Sequence, residues 1–515
     1  MIAKVYSAIP QGYDGCIVEV EGDSNRGLPT FNLVGMANKT ISESRERVRS
    51  ALTNSGFTFP QRKITISLAP AELIKFGSHL DLPIALAVLV LSQQLLPQDV
   101  SNRLFVGELA LDGLIRPIHG IINIVEAAKH AGYAEVYVPK ENFEQASLIN
   151  GVKLFGVSNL SELFLHLKGQ TTLSTPTIVK NTKTDSIPLY PLLDHIHGQS
   201  FAKRALAIAI AGHHNLLLTG PPGTGKSLLA AAALNLLPPP SPQEQIEIAK
   251  IHSLSHTSNH DYRLRPFRAP HHTASTAAII GGGNHIQPGE ISLAHHGILY
   301  LDEIPEYSRD VLEALRQPLE NKTISISRAN QHTVFPANFI LIATMNPCPC
   351  GYYGDPRHPC RCSISQLNNY HKRLSGPIRD RIDLSVHVDR IATEDLIPHQ
   401  NHVVKNKQTD SNNTSEHFVV KNKITEAIQR QNQRYCNSNQ YNGLLSNIEV
   451  DQYIHLQPDA QNLLRQAIKR FSISTRGYYK ILKIAQTIAD LSGETEVKTE
   501  HISEALSFRE SQNEH

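Results

Sequence analysis

Apolar residues are distributed in two ways along this chain. Up to about Arg390, short apolar runs alternate with segments of three- and four-residue apolar spacing, whereas beyond Val419 only the helical spacing remains. Lys63–Leu68 and Val136–Pro139 read as strands, Leu82–Leu91 and Gly120–Ala131 as helices, and this alternation predicts an α/β domain over residues 1–168. Leu82–Leu91 is too short to cross a bilayer, about ten residues against the ~20 required, so it reads as a buried helix. Gly169–Pro188 is rich in Thr, Ser, Lys and Asn and predicts a linker over 169–188. A second α/β domain is expected over 189–392, with apolar strands at Asn215–Thr219, Gly297–Leu301 and Phe339–Thr344. Pro398–Glu416 has hardly any large apolar residues, which predicts a flexible insertion over 393–418. From 419 to 511, Ile424–Arg434, Pro458–Phe471, Thr475–Asp490 and Thr499–Phe508 predict a helical lid.

Composition narrows this little. A chain of 515 residues is long enough for about three domains. Its net charge of +2 excludes a wholly cationic surface, so nucleic-acid binding would have to come from local basic patches. Six cysteines, and the lack of leader-like charged, apolar and cleavage segments at Met1–Gly15, predict a reducing, cytoplasmic setting away from membranes.

The chemistry is concentrated in the second half. Gly220-Pro221-Pro222-Gly223-Thr224-Gly225-Lys226-Ser227 fits G-x-x-x-x-G-K-[ST], the phosphate-binding P-loop, between a predicted strand and a predicted helix. The glycines let backbone N–H groups converge on phosphate oxygens at a helix N-terminus; Lys226 adds a point charge for the β- and γ-phosphates of ATP, and Ser227 a ligand for Mg²⁺. The strand Gly297–Leu301 ends in Asp302 and Glu303, a Walker B pair: Asp302 for the Mg²⁺ shell, Glu303 to orient the attacking water and accept its proton. Asn346, ending a third strand, is expected to sense the γ-phosphate. In Ser375–Leu384, Arg381 is expected to act as an arginine finger on the charge that develops in phosphoryl transfer; a helix-end salt bridge with Asp380 or Asp383 is the alternative.

Four of the six cysteines lie in the pairs Cys348-Pro349-Cys350 and Cys360-Arg361-Cys362. Two thiolate pairs across a polar loop predict a tetrahedral zinc site, with His358 able to replace one ligand; free buried thiols or a redox pair are the competing readings. Such a site would be a structural clip for the Arg381 loop, with no open position for catalysis. Between the P-loop helix and Asp302 lies a polar stretch, His252–His296, with Arg263, Arg265, Arg268 and a Gly281–Gly283 turn. A strand pair at Thr323–Arg328 and Val334–Ile342 adds Lys322 and Arg328. These five cations could follow a DNA phosphate backbone with little base selectivity, or could be ordinary loop cations satisfied by carboxylates. Alternating Glu and Arg in Ser42–Arg49 reads as a solvated helix face.

The order of these motifs resembles the ComM/YifB family of AAA+ ATPases, related to the ATPase subunit of magnesium chelatase. The carriers run along nearly the whole chain: GPPGTGKS, RPFRAPHHTASTAAIIGGG, PGEISLAHHGILYLDEIPE, LEALRQPLE, ATMNPCPCG, LSGPIRDRIDL and STRGYYKILKIAQTIADLSG. The resemblance implies a homo-hexameric ring whose site is completed by a neighbour's arginine at the Arg381 position, a sensor 2 arginine at Arg476, and a helix-2 insert facing the pore. It further implies a motor on branched, single-stranded or double-stranded DNA that works with recombination proteins in homologous recombination and natural transformation. A chelatase-type remodeller and a nucleotide-gated scaffold are the other readings. Gly107–Ile118 and Val138–Asn142 resemble the proteolytic domain of Lon-type proteases. Where that pattern carries its catalytic lysine, this chain has Ile121-Ile122-Asn123-Ile124, and Ser78 lies in Gly77-Ser78-His79-Leu80-Asp81 rather than in a small-residue serine loop. A Lon-like fold without protease chemistry is therefore expected.

Overall fold

The computed structural model describes residues 2–35, 39–72, 75, 78–173, 190–255, 260–283, 286–328, 331–355, 357–390, 415–437 and 440–509. Most of the expected linker and insertion, Gly77, and the side chain of Arg328 lie outside the described residues. The chain forms two compact units: Met1–Thr184 with Pro242–Tyr262 and Thr333–Phe335, and Asp185–Ser241 with Arg263–His332 and Pro336–His515.

The first unit is built on a seven-stranded mixed sheet in the order Thr30–Val34, Lys63–Ala69, Asp14–Asn25, Ile2–Gln11, Arg103–Phe105, Glu135–Pro139, Lys153–Val157. Lys63–Ala69 shows why a strand forms there: Ile64, Ile66 and Leu68 are buried at the two-residue period that puts them on one face. The helix Asp81–Leu91 has all eleven residues buried. Its Asp81 carboxylate is paired 2.9 Å from Arg47 Nε, so Arg47 turns inward from the helix Lys39–Asn54, and the expected solvated face there is interrupted. An unpaired charge at a fully buried site would cost far more than the pairing.

One helix departs from the expected domain plan. Pro242–Leu254, which follows the P-loop helix in sequence, belongs to the first unit. There Ser253 C=O accepts from the Gly120 N–H at 2.7 Å, Ser253 Oγ donates to Asn123 Oδ1 at 3.1 Å, and Lys250 Nζ lies 2.5 Å from Glu126 and 4.0 Å from the centre of the Tyr13 ring. Ile248 and Ile251 are buried with it.

The second unit holds a parallel five-stranded sheet in the order Phe267–Arg268, Ile298–Leu301, Ile340–Met345, Leu216–Thr219, Leu384–His387. Ile298–Leu301 and Ile340–Met345 are buried at every position, as expected of continuous apolar strands covered on both faces. Helices Ser200–Gly212 and Lys226–Leu236 share one core with the C-terminal helices Glu416–Tyr435, Pro458–Phe471, Thr475–Ser492 and Thr499–Ser507.

Two sequence expectations are redrawn here. His252–His296 is not a uniform insertion, because Phe267–Arg268 within it is an edge strand of the main sheet, two residues long and so too short to show a period. The strand after Thr323–Arg328 is Gln331–Pro336, not Val334–Ile342; Pro336 has no N–H to continue a ladder, and Ile340–Met345 joins the main sheet instead. Among the described residues, no helix is long and apolar enough to cross a membrane.

Candidate nucleotide site

Three neighbouring strands of the parallel sheet deliver the predicted residues to one edge, at the strand C-termini. Leu216–Thr219 runs into the P-loop, Ile298–Leu301 into Asp302 and Glu303, and Ile340–Met345 into Asn346. Open α/β sheets bind ligands at this edge. Gly223 and Gly225 have φ of 79° and 87°, left-handed values that favour glycine, and a Cβ on either would meet nothing within 4 Å, so the loop presents its backbone to open space. Thr224 Oγ1 donates to Pro221 C=O at 3.0 Å and closes the loop on itself.

Lys226 and Glu303 are joined through Asn346. Lys226 Nζ donates to the Gly220 and Pro221 carbonyls at 2.7 and 2.8 Å and lies 3.4 Å from Asn346 Oδ1, while Asn346 Nδ2 donates to Glu303 Oε1 at 2.9 Å. Burial holds the Lys226 ammonium below its ordinary pKa, and Asp302 and Glu303 oppose that shift. Glu303 has φ of 50°, a conformation costing of order 1–2 kcal/mol for a residue with a Cβ, and its N–H donates to Thr344 Oγ1 at 3.0 Å. The backbone is thus held off its preferred region where the carboxylate must point.

Two residues at this edge were not anticipated. Tyr300 OH donates to Asp302 Oδ1 at 2.8 Å and lies 3.1 Å from Ser227 Oγ; Thr344 Oγ1 donates to the same Asp302 oxygen at 2.5 Å. Burial pushes the Tyr300 phenol up, which keeps it a donor. Both sit two residues before a predicted site residue, Asp302 and Asn346, and in a strand that spacing means the same face.

Arg381 and Arg476 lie elsewhere. Asn215, immediately before the P-loop strand, donates through Nδ2 to the Arg381 carbonyl at 2.9 Å and through its N–H to Asp383 at 2.9 Å, which puts Arg381 at the strand N-termini. The four residues of Leu216–Thr219 separate the two edges by roughly 13 Å at about 3.3 Å per residue. The partner of Arg381 is Glu320, at 2.5 Å, rather than Asp380 or Asp383; Arg476 reaches the same Glu320 oxygen at 3.0 Å.

The four cysteines converge. Sγ atoms of Cys348, Cys350 and Cys360 are 3.3, 3.6 and 3.7 Å apart, and those three with Cys362 lie within 4.8 Å of one another. A tetrahedron of ~2.3 Å metal–sulfur bonds has edges of roughly 3.8 Å, so the donor set fits zinc. Backbone N–H groups of Tyr353 and Cys362 point at Cys348 and Cys360 sulfurs. The cluster also meets the P-loop: a Cβ on Gly351 would come 2.9 Å from Pro222 Cδ. Its neighbour is therefore the phosphate loop as well as the segment leading to Arg381.

The basic candidates divide. Arg263 is exposed. Arg265 is 9% exposed and donates to the Pro238 and His296 carbonyls at 2.6 and 2.8 Å, a structural tie within its own unit. Arg268 forms a bidentate pair with Glu290 at 2.5 and 2.6 Å, and burial lowers the Lys322 pKa. In the first unit, Ser78 donates to the Glu108 carboxylate, and Asn123, within Ile121–Ile124, donates to Tyr13 C=O at 2.6 Å.

Fold and site together are those of an AAA+ protein of the magnesium-chelatase type, a class that implies ATPase activity. The magnesium chelatase subunit ChlI family matches residues 192–396, its ChlI subunit domain residues 20–142, and its C-terminal domain residues 413–509. The competence protein ComM of Haemophilus influenzae is 42% identical over 99% of this chain and 97% of its own length, and the uncharacterized protein YifB of Escherichia coli 38% identical over 99% and 97%. A 67 kDa magnesium-chelatase subunit of Chlorobaculum parvum is 23% identical over 30% of this chain and 23% of its own. The chain belongs to the ComM/YifB family.

Proposed function

We propose that this protein is an ATP-hydrolysing ring motor, a homo-hexamer in the cytoplasm that drives migration of branched DNA in homologous recombination and natural transformation. The observation that carries the reading is the separation of Lys226 and Glu303 from Arg381 by the length of the P-loop strand: a site so divided would be completed by a second copy. Each hydrolysis event is then tied to an interface between subunits, as a motor requires.

The residues divide the work as follows. Gly220, Pro221, Pro222, Gly223, Thr224 and Gly225 present backbone N–H groups to the phosphates, and Lys226 neutralises their charge. Ser227 and Asp302 would hold Mg²⁺, which spreads the charge of the leaving phosphate; Tyr300 and Thr344 orient Asp302 for that task. Glu303 orients water and accepts its proton, its carboxylate fixed by Asn346. Arg381, with Arg476, meets the transferring phosphoryl group from the neighbouring subunit. Cys348, Cys350, Cys360 and Cys362 would hold a structural Zn²⁺ that stiffens the P-loop through Gly351 and Pro222. The first unit is a Lon-like scaffold without protease chemistry.

The DNA reading draws on the competence role in the name of the Haemophilus relative. Its contact candidates are Arg263, Arg265, Arg268, Lys322 and Arg328; Arg265 and Arg268 would have to exchange their carbonyl and carboxylate partners for phosphate. ATP hydrolysis measured with and without forked or four-way DNA, alongside strand displacement by wild type and Glu303→Gln, tests it. DNA-stimulated hydrolysis with displacement lost in the variant is expected; hydrolysis indifferent to DNA and no displacement would remove the motor and favour a chelatase-type remodeller, the reading supported by the Chlorobaculum match. Elemental analysis should find one zinc per chain, lost in Cys350→Ser.

A further inference from the structure

The two arginines at the strand N-termini come from distant parts of the chain. Arg381 belongs to the turn before strand Leu384–His387, and Arg476 to the first turn of helix Thr475–Ser492. Both guanidinium groups end on one oxygen, Glu320 Oε1, at the close of helix Arg316–Asn321. One helical turn beyond Arg476, Lys480 Nζ donates to the Ile382 carbonyl at 2.5 Å, so the same helix is tied a second time to the residue beside Arg381. Two like charges converging on one point repel each other, and here a single carboxylate gathers them. Glu320 is 44% exposed and Arg476 likewise, whereas Arg381 is 12% exposed, so the pair is anchored on one side and open on the other.

We propose that Glu320 is a positioning residue that couples Arg381 and Arg476 into one anion-binding pair and presents them together to the γ-phosphate held by a neighbouring copy. The inference rests on the composite-site reading above. A carboxylate oxygen and a phosphate oxygen are anionic acceptors of the same kind for a guanidinium, and one such oxygen already gathers both arginines. Arginines spaced by Glu320 are therefore pre-set for the phosphoryl group, and helix Thr475–Ser492 and the Arg381 turn move as a single piece. Arg476 then reports the neighbour's nucleotide state rather than that of its own P-loop.

Steady-state ATPase assays on the assembled full-length protein test this. Glu320→Gln should lower kcat by about 10- to 100-fold, the effect of displacing a positioned catalytic group by about 1 Å, with KM for ATP unchanged, because the P-loop edge is untouched. Glu320→Asp should recover part of the loss. Arg476→Ala should cost less in the Glu320→Gln background than in wild type, since coupled residues are not additive. Full kcat in Glu320→Gln while Arg381→Ala is inactive would overturn the positioning role alone. Full kcat in Arg381→Ala would overturn the composite site itself. Should Glu320→Gln not assemble, Glu320→Asp carries the same kcat-against-KM test.

Discussion

The two edges of the five-stranded sheet hold their polar groups in opposite ways. At the strand C-termini, Lys226, Asn346 and Glu303 form a short chain of contacts, Lys226 is only 9% exposed, and each group lies in the segment that directly follows its own strand, Lys226 at the start of the P-loop helix. At the strand N-termini, Arg381, Arg476 and Glu320 come from three separate segments and meet at a single oxygen. The contrast teaches that the phosphate-receiving side is made by local geometry. The side that carries Arg381 and Arg476 is assembled from segments far apart in sequence, one of them the C-terminal helix Thr475–Ser492.

The largest effect should fall on the assembled edge. Arg381→Ala is expected to lower ATPase kcat by about 10³-fold or more while leaving nucleotide binding intact, as measured by fluorescent ATP titration; lost binding would place Arg381 at the receiving edge and break the comparison. Glu303→Gln comes next, with a loss of roughly 10²- to 10⁴-fold for removal of the proton acceptor and bound ATP retained. Tyr300→Phe should act more gently. Losing one hydrogen bond of about 0.5–1.5 kcal/mol should raise the Mg²⁺ concentration for half-maximal ATPase by about two- to tenfold, and an unmoved Mg²⁺ midpoint would show that Asp302 needs no help from the phenol.

A further effect, on stability rather than on turnover, is one of pH, and it belongs to the assembled edge. His214 Nε2 lies 2.8 Å from Thr487 Oγ1, joining the start of the P-loop strand to helix Thr475–Ser492. Burial moves the His214 pKa from 6.5 down to about 4, and burial also holds its neighbour His213 low. The unfolded chain therefore takes up protons first. Stability is complete above about pH 6.5 and is lost as pH falls toward about 4, with a slope of up to ~1.4 kcal/mol per pH unit for one such group. Thermal unfolding followed from pH 7.5 to 4.5 should show this slope, and His214→Gln should flatten it.

The receiving edge was legible because its signals are local. Gly220–Ser227 is contiguous, and Asp302, Glu303 and Asn346 each follow an apolar run. Glu320 left no such trace of its role: it closes LEALRQPLE, one of the motifs that carry the resemblance, but its partners are 61 and 156 positions away and the motif does not name them. The partners of Arg265 and Arg268 were illegible for a related reason, since an arginine bound to carbonyls or to a carboxylate and one facing a phosphate look identical in sequence. Convergence of the cysteines could be read from spacing, but the approach of Gly351 to Pro222 could not, because they are 129 positions apart in the chain.

The helix Pro242–Leu254 carries a lesson about descent and dissection. The chain leaves the nucleotide unit after Ser241, completes the first unit, and returns at Arg263. A fragment starting at residue 189 would keep Ile248, Ile251 and Lys250 but lose Asn123, Glu126 and Tyr13, leaving apolar surface bare and a buried ammonium without its carboxylate. The two units are therefore not interchangeable cassettes. Gene fusion, loss or swapping of the first unit would have to rewrite a segment in the middle of the ATPase sequence at the same time.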